Sequence, residues 1–243
     1  MAAPLPLPTC GRRPKVSIDL HDIVMEFSGT RALAGVSVRF QFDEVHGLIG
    51  ENGAGKSTLV SILAGTQPQT SGTMTLDGEP LRLNSARDAL AKGIALVSQE
   101  GCLVRSLSGA ENILLGDEPT RSGLLQSAAL LQRARALLEE WFPGLQIDLA
   151  KEAGTLDMAD QKIIEIVRAL RSNIRLLILD EPTATLQARE KNLLWKIIRS
   201  LPEKGVGVVL ISHFLSEVKA LSDTVTVLRD GAHVATGAAD DLS

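Results

Sequence analysis

The chain has 243 residues, with 25 Lys and Arg against 29 Asp and Glu for a formal charge of −4. It lacks the basic excess of a nucleic-acid binder held by charge. Its two cysteines cannot make a disulfide scaffold, and no run of about 18 apolar residues is present to span a membrane. Apolar residues make up 44% and charged residues 22%, which fits a soluble globular chain of one large or two small domains. With five Phe, two Trp and no Tyr, the core must be aliphatic.

The first fifteen residues carry four prolines and read as a disordered tail. Pro4, Pro6 and Pro8 interrupt the apolar stretch that a signal peptide would keep unbroken, so a cytosolic location is expected. Val16 to Val24 reads as a strand turning at Ser28-Gly29, and Val36 to Phe40 as a period-two strand. Val45 to Ile49 is a short apolar strand ending at Gly50. Leu59, Ile62 and Leu63 share one helical face, and Gly65 stops that helix. Thr73 to Leu76 and Ile94 to Val97 are further strands. Ala128 to Trp141 and Met158 to Leu170 are helical. Leu176 to Leu179 and Val206 to Ile211 are buried-type strands, and Thr224 to Leu228 with His233 to Ala235 flank a hairpin turn at Arg229-Asp230-Gly231.

Apolar strands alternating with helices predict an α/β fold whose mostly parallel sheet has helices on both faces. The early alternating strands predict an antiparallel β layer beside it. The expected organisation is a tail at 1–15 and one domain at 16–243. Within that domain, 16–100 and 173–243 form the core and 101–172 an α-helical subdomain.

Gly50-Glu51-Asn52-Gly53-Ala54-Gly55-Lys56-Ser57 fits G-x-x-x-x-G-K-[ST], with Thr58 following. Glycines let the backbone N–H groups curl toward phosphate oxygens, and the helix opening near Lys56 adds its positive end. Lys56 would reach the β- and γ-phosphates and Ser57 would ligate Mg²⁺. Leu176-Leu177-Ile178-Leu179-Asp180-Glu181 ends an apolar strand in two carboxylates. Asp180 would hold Mg²⁺ through water, and Glu181 would polarise the attacking water. His213 closes the strand Val209 to Ile211 through Ser212, and Gln99 follows the strand Ile94 to Val97. His213 is expected at the γ-phosphate, and the Gln99 carbonyl oxygen at Mg²⁺ or the water.

These pieces, in this order over about residues 16 to 243, resemble the nucleotide-binding domain of ABC transporters, a P-loop NTPase fold. The resemblance implies ATP and Mg²⁺ as ligands and ATP hydrolysis as the activity. Lys56, Glu181 and His213 would be catalytic, and Phe27, 23 residues before Gly50, would stack on adenine. Leu156-Asp157-Met158-Ala159-Asp160-Gln161 occupies the signature position, which in this family serves the opposite site of a head-to-tail dimer. Implied partners are a second such domain, membrane permease subunits and, indirectly, a solute-binding protein, with no nucleic acid. The implied place is the cytoplasmic face of the inner membrane.

Within the family the likeness is to the sugar-importer subfamily, through the phosphate loop and Gln161 to Leu170. The stretch Ala153 to Gln161, with Glu44-Val45-His46, looks most like its autoinducer-2 branch. The signature departs from LSGGQ: Asp157 stands at the Ser position, and Met158 and Ala159 at the glycines. Asp157 can cap the following helix but repels a triphosphate. Gln187 replaces the D-loop Asp. The expectation is an intact loop and Glu181 with an eroded contribution to the opposite site, hence an asymmetric pair. The alternative is a non-hydrolysing or regulatory ATP-binding module. A groove near Gln99 to Val104 is expected to receive a permease helix, with Arg105, Glu118 and Arg121 as surface charges.

Overall fold

The computed structural model describes residues 16–99, 101–121, 124–184 and 186–241. The expected tail at 1–15, Thr185, Leu242, Ser243 and the side chain of Arg121 lie outside the described residues. Strand β1 (Ser17–Phe27) turns through Ser28 and Gly29, at φ 43° and 90°, into β2 (Thr30–Gln41). Two successive left-handed residues match the twist of a tight hairpin. Strand β3 (Val45–Ile49) runs through the glycine-rich loop into α1 (Lys56–Leu63). β4 (Ser71–Leu76) and β5 (Glu79–Leu81) complete an antiparallel sheet of order β2-β1-β4-β5.

Helix α2 (Ala86–Ala91) leads to β6 (Ile94–Val97). The helical stretch follows with α3 (Gly109–Leu114), the small hairpin β7 (Thr120–Arg121) and β8 (Leu124–Leu125), α4 (Ser127–Trp141) and α5 (Met158–Leu170). Ser108 starts α3 with a capping box: its hydroxyl accepts from the Glu111 N–H while the Glu111 carboxylate accepts from the Ser108 N–H. Then β9 (Leu176–Asp180), α6 (Ala188–Ser200), β10 (Gly207–Ile211), α7 (Leu215–Leu221), β11 (Thr224–Arg229) and β12 (Ala232–Ala238) close the chain.

The second sheet has the order β12-β11-β3-β10-β9-β6. Its inner pairs are parallel and β12 is an antiparallel edge. Its inner strands β9 and β10 are covered on both faces and run buried and apolar as far as Asp180, as such a sheet requires, while the edge strand β12 is exposed along its length. Leu176, Ile178, Val209 and Ile211 join α1 and the antiparallel sheet in one core. Leu177, Leu179, Val208 and Leu210 face the other way and join residues of α3 to α6, including Ile113, Ile163 and Leu194. The helical stretch thus shares one continuous core with a sheet face instead of building its own.

Candidate nucleotide site

β3, β10, β9 and β6 lie side by side, with Ile211 in register with Leu48 and with Asp180, and Leu179 with Val97. Their carboxyl ends therefore fall on one edge, where open parallel sheets bind ligands. Each delivers one expected element: the glycine-rich loop, His213, Asp180-Glu181 and Gln99.

The loop is shaped by close approach. A Cβ on Gly50 would lie 2.3 Å from the Leu228 carbonyl oxygen, and Gly55 sits at φ 96° against Leu33. Gly55 starts α1 without any side-chain cap, so the first-turn N–H groups are left for an anion. The Ala54 N–H donates to the Glu51 carbonyl and Lys56 Nζ donates to the carbonyls of Gly50 (2.7 Å) and Glu51 (3.0 Å), bracing the loop. A cleft of about 380 Å³ opens above it. Phe27, Asn52, Gly53, Gly55, Lys56, Ser57, Thr58, Gln99, Asp180 and Glu181 line this cleft, together with Ala32 and Ile211, which sequence reasoning missed. Phe27 is 45% exposed at its mouth, so it is no core residue and presents a ring to whatever enters.

Glu181 sits at φ 48°, a left-handed position that costs a non-glycine residue of order 1 kcal/mol. Its N–H donates to the Ile211 carbonyl at 2.9 Å. His213 Nδ1 lies 3.0 Å from Glu181 Oε1, and Gln99 Nε2 donates to Oε2 at 2.9 Å. A carboxylate accepts only, so this partner assigns the proton to Nδ1. Gln99 spends its amide nitrogen on Glu181, because β6 and β9 are neighbours and bring the two side chains together, and that bond leaves the carbonyl oxygen expected at Mg²⁺ or the water unengaged. Burial, and then the Glu181 charge, raise the Asp180 carboxyl above its ordinary value, with Lys56 and Lys162 opposing. Such a carboxylate and the Ser57 hydroxyl in one cleft suit a hard, oxygen-seeking cation. Among the described residues no three His, Cys, Asp or Glu form a metal cluster on their own. Any cation here would depend on further ligands from phosphate and water.

Leu156 to Gln161 do not line this cleft. Asp157 caps α5, its Oδ1 accepting from the Asp160 N–H at 2.8 Å, and Gln161 Nε2 donates to the Leu156 carbonyl at 2.7 Å. Met158 is 61% exposed. Burial, then Asp157 and then Glu190, raise the Asp160 carboxyl. Gln187 starts α6 without a side-chain cap.

A phosphate loop between strand and helix, beside carboxylates at the end of another parallel strand, defines a P-loop nucleoside-triphosphate-binding domain. The sequence profile of the ABC transporter family matches residues 33–184, and the chain belongs to that family of ATPase cassettes. It is 42% identical over 226 residues to a ribose import ATP-binding protein of Escherichia coli O157:H7, covering 93% of this chain and 44% of that protein. It is 43% identical over 235 residues to an arabinose import ATP-binding protein of Burkholderia thailandensis, covering 97% and 44%. The chain thus spans less than half the length of these relatives. Among solved structures, a nucleotide-free ATP-binding cassette from an ABC transporter superposes with TM-score 0.79 at 24% identity, covering 92% of this chain and 91% of that one. A dimeric cassette in a post-hydrolysis state with ADP and phosphate superposes with TM-score 0.77 at 22% identity, covering 91% and 98%. Among the described residues no helix is long and apolar enough to cross a membrane.

Proposed function

We propose that this chain binds and hydrolyses ATP as a cassette of an ABC importer for a monosaccharide or related small solute. The observation that carries the reading is the convergence of the loop at 50–58, Asp180, Glu181, Gln99 and His213 on one strand edge. ATP is the substrate: the loop N–H groups and Lys56 hold its phosphates, and Phe27 stacks on the base. Ser57 and, through water, Asp180 would hold Mg²⁺, with the Gln99 carbonyl oxygen toward the ion or the water, and the ion would neutralise phosphate charge and polarise the γ-phosphoryl group. Glu181 accepts the proton of the attacking water. His213, donating from Nδ1, holds that carboxylate in place, and Nε2 donates to the γ-phosphate when it too carries a proton. Gln99 and His213 occupy one direction on each Glu181 oxygen and leave a second acceptor direction on each.

The site is completed by a second cassette, in the same longer chain or a separate subunit. Asp157 makes this chain a poor donor to the opposite site, so the working pair is asymmetric. Residues 16–100 and 173–243 form the core, and 101–172 the helical subdomain. The groove of about 490 Å³ lined by Leu90, Leu96, Cys102 and Arg168 receives a permease helix at the cytoplasmic membrane face, with a solute-binding protein supplying the cargo. A pentose is the favoured cargo class, since the relatives above are ribose and arabinose importers by name. Ala153 to Gln161 and Glu44 to His46 support autoinducer-2 instead. Mg-ATP turnover across protein concentration, alone and mixed with a cassette carrying an LSGGQ signature, tests the reading. Turnover restored only in the mixture and lost in Glu181→Gln supports it. Tight ATP binding with no turnover in any mixture favours the regulatory module.

A further inference from the structure

The interior beneath the cleft holds a carboxylate that the catalytic scheme does not use. Glu217, in the first turn of α7, is only 2% exposed. Thr183 Oγ1 lies 2.8 Å and 2.7 Å from its two oxygens, and Ser212 Oγ donates to Oε2 at 2.9 Å. Lys191 of α6 forms an ion pair with Oε1. Thr183 and Ser212 are each 4% exposed. Ser212 also accepts from the Phe214 N–H at 3.1 Å, so its hydroxyl is used in both directions.

Two of these partners stand close in sequence to a residue of the reacting centre. Thr183 stands two residues after Glu181, on the segment that leaves β9. Ser212 immediately precedes His213 at the end of β10. The Phe214 ring lies against the His213 ring, with centroids 4.1 Å apart, and Lys191 Nζ sits 5.3 Å from the Phe214 ring centre. A carboxylate buried so deeply persists only when compensated by a cation and by donors. Here the compensation comes from three separate segments, which are therefore fixed relative to one another.

We propose that Glu217 is a positioning residue that sets the His213–Glu181 hydrogen bond. It ties the segment after Glu181, the residue before His213 and α6 to one point, so that the 3.0 Å approach of Nδ1 to Oε1 is held before nucleotide arrives. Glu217 lies outside the cleft lining. The inference rests on the reading of Glu181 and His213 as a working pair.

Its test is the imidazole nitrogen spectrum of the ¹⁵N-His-labelled full chain, which has four histidines. His213→Asn assigns the His213 signals, and Glu181→Gln gives their position once the carboxylate is gone. Glu217→Gln is isosteric but removes the charge that Lys191 and the two hydroxyls converge on. In Glu217→Gln the His213 Nδ1 signal is expected to move toward its Glu181→Gln position, with the His21, His46 and His233 signals unchanged. ATP affinity, read with a fluorescent ATP analogue, is expected to stay within about threefold, because the phosphate loop is untouched. Should Glu217→Gln fold poorly, Thr183→Val removes one donor with little volume change and carries the same readout. His213 signals that stay at their wild-type positions, or that shift only as part of a change in all four rings, would overturn the proposal. Retained ATP turnover in Glu181→Gln would instead overturn the catalytic reading, and the His213 shift would still report whether Glu217 positions the pair.

Discussion

Replacing Asp157 by Ser separates what this residue does for its own helix from what it does to a facing nucleotide. Its Oδ1 accepts from the Asp160 N–H at 2.8 Å, a bond that Ser makes about as well, so the cap changes by only a few tenths of a kcal/mol. Two charge effects oppose each other. Loss of a carboxylate at a helix start costs about 0.3–1 kcal/mol, while Asp160, whose proton affinity Asp157 helps to raise, is relieved. At about 2–4 °C per kcal/mol for a chain of this size, the unfolding midpoint should move by no more than about 4 °C. The effect on a facing triphosphate is larger. One carboxylate about 5 Å from one phosphate charge, at an effective dielectric near 20, is repelled by roughly 3 kcal/mol. Solvent and salt at an exposed interface reduce this to about 1.4 kcal/mol, still tenfold. In a Glu181→Gln background, in which the proposed role of Glu181 predicts that ATP stays unhydrolysed, Asp157→Ser should therefore strengthen ATP-dependent self-association about tenfold, as read by sedimentation velocity. Asp157→Asn, which keeps the cap without the charge, should do the same. Unchanged self-association in both variants would refute the reasoning that Asp157 faces a nucleotide.

Asp180→Asn should raise the unfolding midpoint at neutral pH while weakening Mg-dependent ATP binding. Because burial raises the folded-state value, protonation favours the native state. That stabilisation is complete below the ordinary carboxylate value near 3.9 and is lost as pH rises through the raised one. The gain in Asp180→Asn should accordingly vanish in acid, which a melting series against pH checks. Gly50→Ala places a Cβ 2.3 Å from the Leu228 carbonyl oxygen. Backbone cannot yield as a side chain does, so about 1–3 kcal/mol of stability is lost and ATP affinity falls, measured by calorimetric melting and titration. Phe27→Ala should leave stability almost unchanged, since the ring is half exposed, and cost about 1–3 kcal/mol of ATP binding. Phe27→Trp should restore most of it in the same titration.

The sequence determined most of the site because its chemistry is local. Gly50 to Ser57 must be contiguous to curl around phosphate, and Asp180-Glu181 announce themselves at the end of four aliphatic residues. Asp157 was legible as a cap because a helix start is set by its own first turn. The short strands β3, β6 and β9 were bounded to within a residue by their apolar runs. Helices α2, α3, α6 and α7 were not read at all. In α6, Ala188–Ser200, only Leu194, Ile197 and Ile198 are buried, too thin a stripe among charges to mark a helix without its neighbours. Only the tertiary structure decided which strands lie side by side. Spatial order β3-β10-β9-β6 cannot be read from chain order, yet it alone brings Gln99 and His213 to opposite oxygens of Glu181. The same holds for Glu217, whose partners Thr183, Ser212 and Lys191 come from segments up to 34 residues away. A buried carboxylate looks like any surface glutamate until the packing that encloses it is known.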